Sequence, residues 1–450
     1  MIEFVNSIDK IMKEQKLVVP QQYTYPPRKS YIMGISEHNK ILENKNLEDE
    51  YISIYVHFPF VDKKCDLCNL YAFECADYDL YDKYIFSVLL QLEQEREYHG
   101  KHLKSIHFGG GDPLILGYIR LQSVYQKISE LFIITEVTEI SIEATPKSVL
   151  DTNKTNELKS ISRFINRINI GMLPFINNEN SLLPMYEINT IYDSIKCASV
   201  QKIKNISVDI MIGELLPMKE IIEVIERLSI DEVDTVSIFP LTIRNDSKIG
   251  EKNKISFYVS ENYYTWYDIV RSKLVECGYK QENSYRFTNE HGGCLQEDSH
   301  YNGQVILGIG CGARTYGKLI DSVIMPTVVG IDGIYQYIER IKENTLDEMR
   351  KYSIPKINEE AMICDVVLNQ KAIEMDRWCY LKDKYEKCLA KLNILCDCGI
   401  LKRSYNKFCY TDIGYKYHDV VSLLFYSCES IKCDKDLMNQ LENLKSNIEN

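Results

Sequence analysis

The sequence is short of positive charge, of long apolar runs and of any repetitive tract. Against 65 Asp and Glu stand 53 Lys and Arg, a formal net charge of -12. Phosphate backbones are met by basic surface, so nucleic acid is not expected as the main partner. No apolar run approaches the ~18 residues that a membrane span needs, and no membrane partner is expected. The opening MIEFVNSIDKIMKEQK has no basic start followed by an apolar block, so a secretory signal is not expected either. Cysteine is not scarce. There are 15, an odd number scattered along the chain, which speaks against a disulfide framework and for a reducing, cytoplasmic setting.

What is present is the composition of an ordered globular protein, 45% hydrophobic and 26% charged, in 450 residues. That length suits two or three domains. From residue 51 the pattern alternates between strand and helix. YISIYVHF (51–58), LKSIHF (103–108), VTEISIEA (137–144), FINRINIG (164–171), KNISVDIMIG (204–213) and DTVSIFPL (234–241) read as six strands, with helices expected over 78–98 and near 118–131. Spacings of about 30 to 40 residues are the βα rhythm of a parallel sheet or barrel. The fold class expected is α/β, a partial (β/α)6 barrel like that of triosephosphate isomerase. The boundaries drawn are an N-terminal arm over 1–50, the barrel over 51–245, an α+β extension over 246–355, and a mainly helical, winged-helix-like domain over 356–450.

Sites in βα proteins lie at the carboxyl ends of strands. Two loops there carry chemistry. After the first strand come Cys65 and Cys68, with Cys75 seven residues on, a cluster suited to metal or iron–sulfur binding. After the second come Gly109, Gly110 and Gly111, followed by Asp112 as a candidate cap of the next helix. Consecutive glycines let a backbone approach a ligand closely, and equally they make a tight turn. A second run, Gly308, Gly310 and Gly312, mimics a dinucleotide fingerprint without its context and reads as a packing turn.

YVHFPFVDKKCDLC (55–68) resembles the cluster loop of radical S-adenosylmethionine enzymes, in particular the oxygen-independent coproporphyrinogen III oxidase family, whose loop reads YxHxPFCxxxCxxC. Further stretches follow that family in order: IHFGGGDP, EISIEATP, INIGMLPF, VDIMIGELLP, VSIFPLTI, ILGIGCGARTYG and YTDIGYKYHDVV, with YTYPP in the arm. The resemblance spans almost the whole chain. It implies S-adenosyl-L-methionine and a [4Fe-4S] cluster as cofactors, with Cys65 and Cys68 as cluster ligands. It implies Leu67 near an adenine, Gly109 to Gly111 at a methionyl end, Glu143 and Asp209 on polar parts of the cofactor, and the backbone of Phe239 and Pro240 against the adenine.

The departures fall on the same loops. Val61 stands where the family has its first cluster cysteine, Leu173 where it has a glutamine, Asp112 where it has a threonine, and GELLP alters the fifth-strand turn. Cys75 is the nearest substitute ligand and Asp62 a second, while His57 reads as a hydrogen-bonding residue of the loop. Two functions stay open. One is a radical-based oxidoreductase or methyltransferase-type tailoring enzyme, acting on an unidentified small molecule or peptide and served by an electron donor. The other is a cluster-free, non-catalytic homologue that binds a ligand or partner, such as a nucleoside, a tetrapyrrole or a peptide. Arg28, Lys29, Arg244 and Arg314 are candidates for a basic pocket. Lys402, Arg403 and Lys407 would line a nucleic-acid face on the C-terminal module, but a solvated surface explains them more cheaply and the net charge of -12 is against it.

Overall fold

Strand-forming residues alternate along the βα core in a way that fixes which face looks where. In β1 (Tyr51–Phe58), Ile52, Ile54, Val56 and Phe58 are sealed from solvent, while Ser53, Tyr55 and His57 take the alternate positions. Successive side chains of a strand point to opposite faces. The first set therefore packs under the helices, and the second faces the inside of the curved sheet. The computed structural model describes residues 50–68, 70–172, 188–228, 232–245, 247–255, 257–317, 321–352, 372–374 and 383–425. Arg28, Lys29 and Leu173 lie outside them.

Five more parallel strands follow in order: β2 (His102–Gly110), β3 (Glu139–Ala144), β4 (Arg167–Met172), β5 (Asn205–Ile212) and β6 (Thr235–Pro240). Each pairs with the next, so the six form one continuous arc. The expected strands are all present. The helices Tyr78–Gln94 (α1) and Tyr118–Leu131 (α2) return the chain across the outer face. Asp77 caps α1 by accepting from the amides of Asp79 and Leu80 at 3.0 and 3.2 Å. Leu80, Tyr81, Tyr84, Ile85, Val88 and Leu92 form its buried stripe.

A strand not expected from the sequence extends the arc. β7 (Ile306–Ile309) pairs parallel with β1 on the side away from β2. Antiparallel strands continue the sheet beyond both ends, Arg286–Thr288 beside β6 and Arg314–Tyr316 beside β7, giving twelve strands in all. The glycine run is the turn between β7 and Arg314. Gly310 and Gly312 have φ of +101° and +89°, and a Cβ on Gly308 would stand 2.4 Å from the Arg314 carbonyl. It is a packing turn, as expected.

The amino end of the barrel is plugged. The short helix Leu295–Tyr301 lies across it. Ser299 Oγ accepts from Ser53 Oγ at 3.0 Å, and Glu139 accepts from the amides of Leu295 and Gln296 at 3.0 and 3.4 Å. Arg286, 1% exposed, clamps this plug to the sheet edge. It donates to Glu282 and Glu297 at 2.7 Å each and to Asp298 at 2.5 Å. Farther along, the helix Asp383–Asp397 leads into the hairpin Leu401–Ser404 and Lys407–Tyr410, which Ile373–Glu374 joins as a third strand. This module meets the helix Tyr263–Glu276 through the Arg271–Asp412 and Lys416–Asp268 pairs. Lys402, Arg403 and Lys407 are exposed on its hairpin.

Candidate ligand and metal site at the barrel mouth

With one end plugged, the open end of the barrel is the carboxyl end of the strands, where the cysteine and glycine loops emerge. The glycine loop comes first because its shape is the more constrained. Gly110 has φ of +116°, and a Cβ there would stand 2.9 Å from the His57 ring. A Cβ on Gly111 would stand 2.2 Å from the Phe60 carbonyl oxygen. Only glycine lets β2 run this close to the strand that carries the cysteines. The amides of Gly110, Gly111 and Asp112 are all taken, donating to Glu143 Oε2 (2.9 Å), the Phe58 carbonyl (2.8 Å) and the Phe60 carbonyl (2.8 Å). These three amides are therefore committed within the protein. Asp112 caps the turn that follows, accepting from Leu114 N at 3.3 Å and from Thr145 Oγ1 at 2.8 Å.

Below the edge lies a row of polar side chains that face inward. His107 Nδ1 is 2.6 Å from Ser141 Oγ, and His107 Nε2 is 2.9 Å from Glu143 Oε1. The Tyr55 ring stacks on His107 with centroids 5.6 Å apart. Burial works against a charge on Glu143, but the His107 ring and the Gly110 amide outweigh it and hold the carboxyl below its ordinary range. Asp209, on β5, goes the other way. Burial pushes it up to about 7, against the Asn169 amide that donates to it at 2.8 Å and the Arg167 charge. The mouth thus carries one carboxylate that stays ionised and one poised near neutrality. Phe239 stacks on Tyr285 with centroids 5.5 Å apart, and Pro240 ends β6.

The cysteine loop leaves β1 through Phe60–Val61, a two-residue strand that pairs with Phe73–Glu74. His57 ties the two together. Its Nδ1 lies 3.0 Å from the Tyr55 hydroxyl and its Nε2 2.8 Å from the Tyr71 carbonyl, the hydrogen-bonding place expected of it. Cys65 and Cys68 share a tight turn, the Cys68 amide donating to the Cys65 carbonyl at 3.0 Å and the Leu67 amide to Cys65 Sγ at 3.4 Å. Burial raises the Cys65 thiol pKa, the Leu67 amide lowers it, and the neighbouring Cys68 raises it again. Leu67 is buried against the core. Cys75 lies beyond the strand pair, its amide on the Val61 carbonyl at 3.2 Å.

An open-iron [4Fe-4S] cluster is held by thiolates, and three are needed to leave one iron free. The donor set here does not fit that requirement. Val61 has no donor atom. Among the described residues no three His, Cys, Asp or Glu side chains converge as a metal site, with Cys75 and Asp62 included in that count. The altered turn after β5 is a structural anchor: Glu214 accepts from the Tyr258 and Ser260 hydroxyls and from the amides of Glu261 and Asn262. Of the basic candidates, Arg314 lies over the Tyr316 ring at 4.6 Å, beyond β7. Arg244 follows β6. The inward residues His107, Ser141, Arg167 and Asn169 were not foreseen. The period-2 alternation of polar with apolar residues in SIHF (105–108), ISIE (140–143) and RINI (167–170) is the signal that points to them.

No family model matches the chain. It is 27% identical over 284 residues to the heme chaperone HemW of Buchnera aphidicola subsp. Acyrthosiphon pisum, covering 60% of this chain and 70% of that one. It is 24% identical over 285 residues to heme chaperone HemW of Escherichia coli K12, covering 61% and 73%. A shorter match, 25% over 169 residues and 36% of each chain, is to the oxygen-independent coproporphyrinogen III oxidase of Escherichia coli K12. The solved coproporphyrinogen III oxidase (HemN) from Escherichia coli, described as a radical SAM enzyme, superposes with a TM-score of 0.72 at 17% identity, covering 90% of this chain and 96% of that one. This likeness shows the shared fold, the partial barrel with its appended elements.

Proposed function

Since the chain is a homologue of the coproporphyrinogen III oxidase-like radical S-adenosylmethionine proteins, we propose that it is a ligand-binding member of that group which does not generate a radical. The observation that carries this reading is the donor set: two cysteine thiols on one turn, with a valine where the family's first cluster cysteine stands. Reductive cleavage of a sulfonium needs an electron delivered at the bound cofactor, and a cluster short of one thiolate does not anchor there. No step of such a reaction is assigned to this chain.

The binding half of the site is better provided for. The ionised Glu143 beneath the glycine edge suits a protonated amine, and Asp209 with Asn169 supplies hydrogen-bonding groups of the kind a ribose takes. An adenosyl ligand, with or without a sulfonium, is the first candidate. Two of these relatives are named heme chaperones, and that makes a tetrapyrrole the second candidate ligand.

Anaerobic purification and reconstitution with ferrous iron and sulfide test the reading. The expected result is well under one cluster's worth of iron, about four per chain, and no 5′-deoxyadenosine in the presence of reductant. S-adenosylmethionine or adenosine is expected to bind in calorimetry. A complete cluster with sulfonium cleavage would replace this reading with the enzymatic one.

A further inference from the structure

Below the mouth, the inner face of the barrel has a floor, and that floor holds a cation with no counter-ion among the described residues. Arg167 opens β4 and is 4% exposed. Of its five donors only Nε–H is bonded, to the Gly293 carbonyl at 3.1 Å, and no carboxylate of the described residues forms an ion pair with it. Charged side chains buried this deeply are paired as a rule, because an unpaired one gives up its hydration for nothing in return.

Burial works against that charge, and the acids that sustain it from beyond bonding distance are committed elsewhere. Glu139 accepts from the Leu295 and Gln296 amides at 3.0 and 3.4 Å. Glu297 accepts from the Tyr285 hydroxyl at 3.0 Å and from Arg286 at 2.7 Å. Asp209 accepts from Asn169 at 2.8 Å, and burial pushes its carboxyl up to about 7, so it carries a proton on the acid side of neutrality.

A second group stands on the same floor. Ser207 lies on β5 between Asn205 and Asp209 and shares their inward parity. It is 0% exposed, and its Oγ is buried without a hydrogen-bond partner. An orphan hydroxyl is a cost that native interiors rarely carry. Its register partner on β4 is Asn169, the next inward residue after Arg167. Asn205, the inward residue before Ser207, donates to the same Gly293 carbonyl as Arg167, at 3.1 Å. The flanking strands bring short side chains, Ser141 beside Arg167 and Thr235 beside Ser207. A guanidinium with its terminal nitrogens unused and a hydroxyl with no acceptor thus stand on adjacent strands above one carbonyl.

We propose that the barrel floor is a subsite for a small carboxylate, whose two oxygens meet the terminal nitrogens of Arg167 and one of which accepts the Ser207 hydroxyl. A planar guanidinium matches the spacing of carboxylate oxygens, which a spherical anion such as chloride does not reproduce. The subsite uses neither the cysteine loop nor the glycine edge, so it stands or falls apart from the reading of the mouth.

Calorimetric titration with sodium formate tests it at about pH 6, where Asp209 holds its proton, with sodium chloride at the same ionic strength as the control. The native protein is expected to bind formate saturably and to show no such signal with chloride. S207A is expected to bind formate about tenfold more weakly, the worth of a hydrogen bond to a charged group. Without formate its Tm is expected to be no lower than that of the native protein, because only an orphan hydroxyl is removed. R167K keeps the charge, loses the fork and is expected to show no saturable binding. Absence of saturable formate binding to the native protein overturns the proposal. So does a formate affinity in S207A or in folded R167K equal to the native one. Should R167K fail to fold, S207A decides alone.

Discussion

The two faces of the barrel strands differ in what they tolerate. Outward, β1 to β6 present Ile54, Val56, Ile106, Phe108, Ile142, Ile168, Val208 and Ile238, all fully buried under the helices. Inward, β1 to β5 present Tyr55, His107, Ser141, Glu143, Asn169 and Asp209: His107 joins Ser141 and Glu143, Asn169 joins Asp209, and Tyr55 stacks on His107. The outer face is held by area and shape. It accepts many sequences, and so the fold survives at 17% identity to the solved oxidase. The inner face is held by particular donors and acceptors, and a change of one atom type there alters chemistry without touching the fold.

The largest separation of the two faces is expected from Phe108→Ala. Phe108 is 0% exposed and packs against Phe58 and Phe164. Its truncation should cost about 4 kcal/mol of stability by denaturant unfolding. Nucleoside affinity of the remaining folded protein should stay within a factor of two. A loss below about 1 kcal/mol would mean that the outer face is not close-packed.

A loss almost as large is expected on the polar side, where Arg286 joins the plug to the sheet. Arg286→Met leaves Glu282, Glu297 and Asp298 with no cation at their centre. Breaking a buried ion network of this kind costs about 3 kcal/mol. Those three carboxylates are a quarter to a third exposed, so relaxation into water sets the upper limit. The double variant Arg286→Met, Glu297→Gln should recover part of the loss, and simple additivity of the two would show that the network is not coupled.

This contrast also accounts for what could be read in advance. The six strands were legible because β-branched runs at a repeat of about 30 to 40 residues leave little choice of fold, and α1 and α2 were legible between them. The cysteine and glycine loops were legible as short motifs. β7 was hidden, since ILGI contains one glycine, runs into Gly310 and Gly312, and reads as a turn. The plug was hidden too. Nothing local in LQEDSHY announces a helix that will meet Ser53, some 246 positions away, by one hydroxyl bond. Nor does the segment around Arg286 announce a buried clamp. The inner row was within reach but unread, because YISIYVHF passes for a uniformly buried strand until its alternation is counted.

A smaller effect, with a sign, comes from Asp209. Its folded pKa of about 7 lies above an unfolded value of about 3.9. Between those values the folded state holds a proton that the unfolded state has released, so stability falls as pH rises through that window. The slope is at most about 1.4 kcal/mol per pH unit. Glu143 is shifted downward, so its contribution is complete at neutral pH and fades only as pH drops through its folded value. Asp209→Asn should flatten the slope between pH 5 and 7 and weaken nucleoside binding. An unchanged slope would locate the titration elsewhere.

The least effect on stability is expected where the two ends of the arc meet, Lys248 after β6 pairing with Asp66 of the cysteine loop at 3.1 Å across the mouth. Lys248 is 68% exposed and its partner Asp66 30%. An ion pair in that much water gains little over its solvated parts and is screened by salt. Lys248→Ala should therefore leave the unfolding curve of the native protein where it is. What it removes is one tether on the loop tip, leaving the hydrogen bond from the Ile249 amide to the Asp66 carbonyl and the buried Leu67. Cleavage of the chain between Asp62 and Tyr71 by a dilute protease should become faster. The same acceleration should appear in the native protein at high salt, and salt should have no further effect on Lys248→Ala. If the variant and the native protein are cut at equal rates, the order of the cysteine loop is set at its root, by the pairing of Phe60–Val61 with Phe73–Glu74, and the bridge across the mouth is incidental.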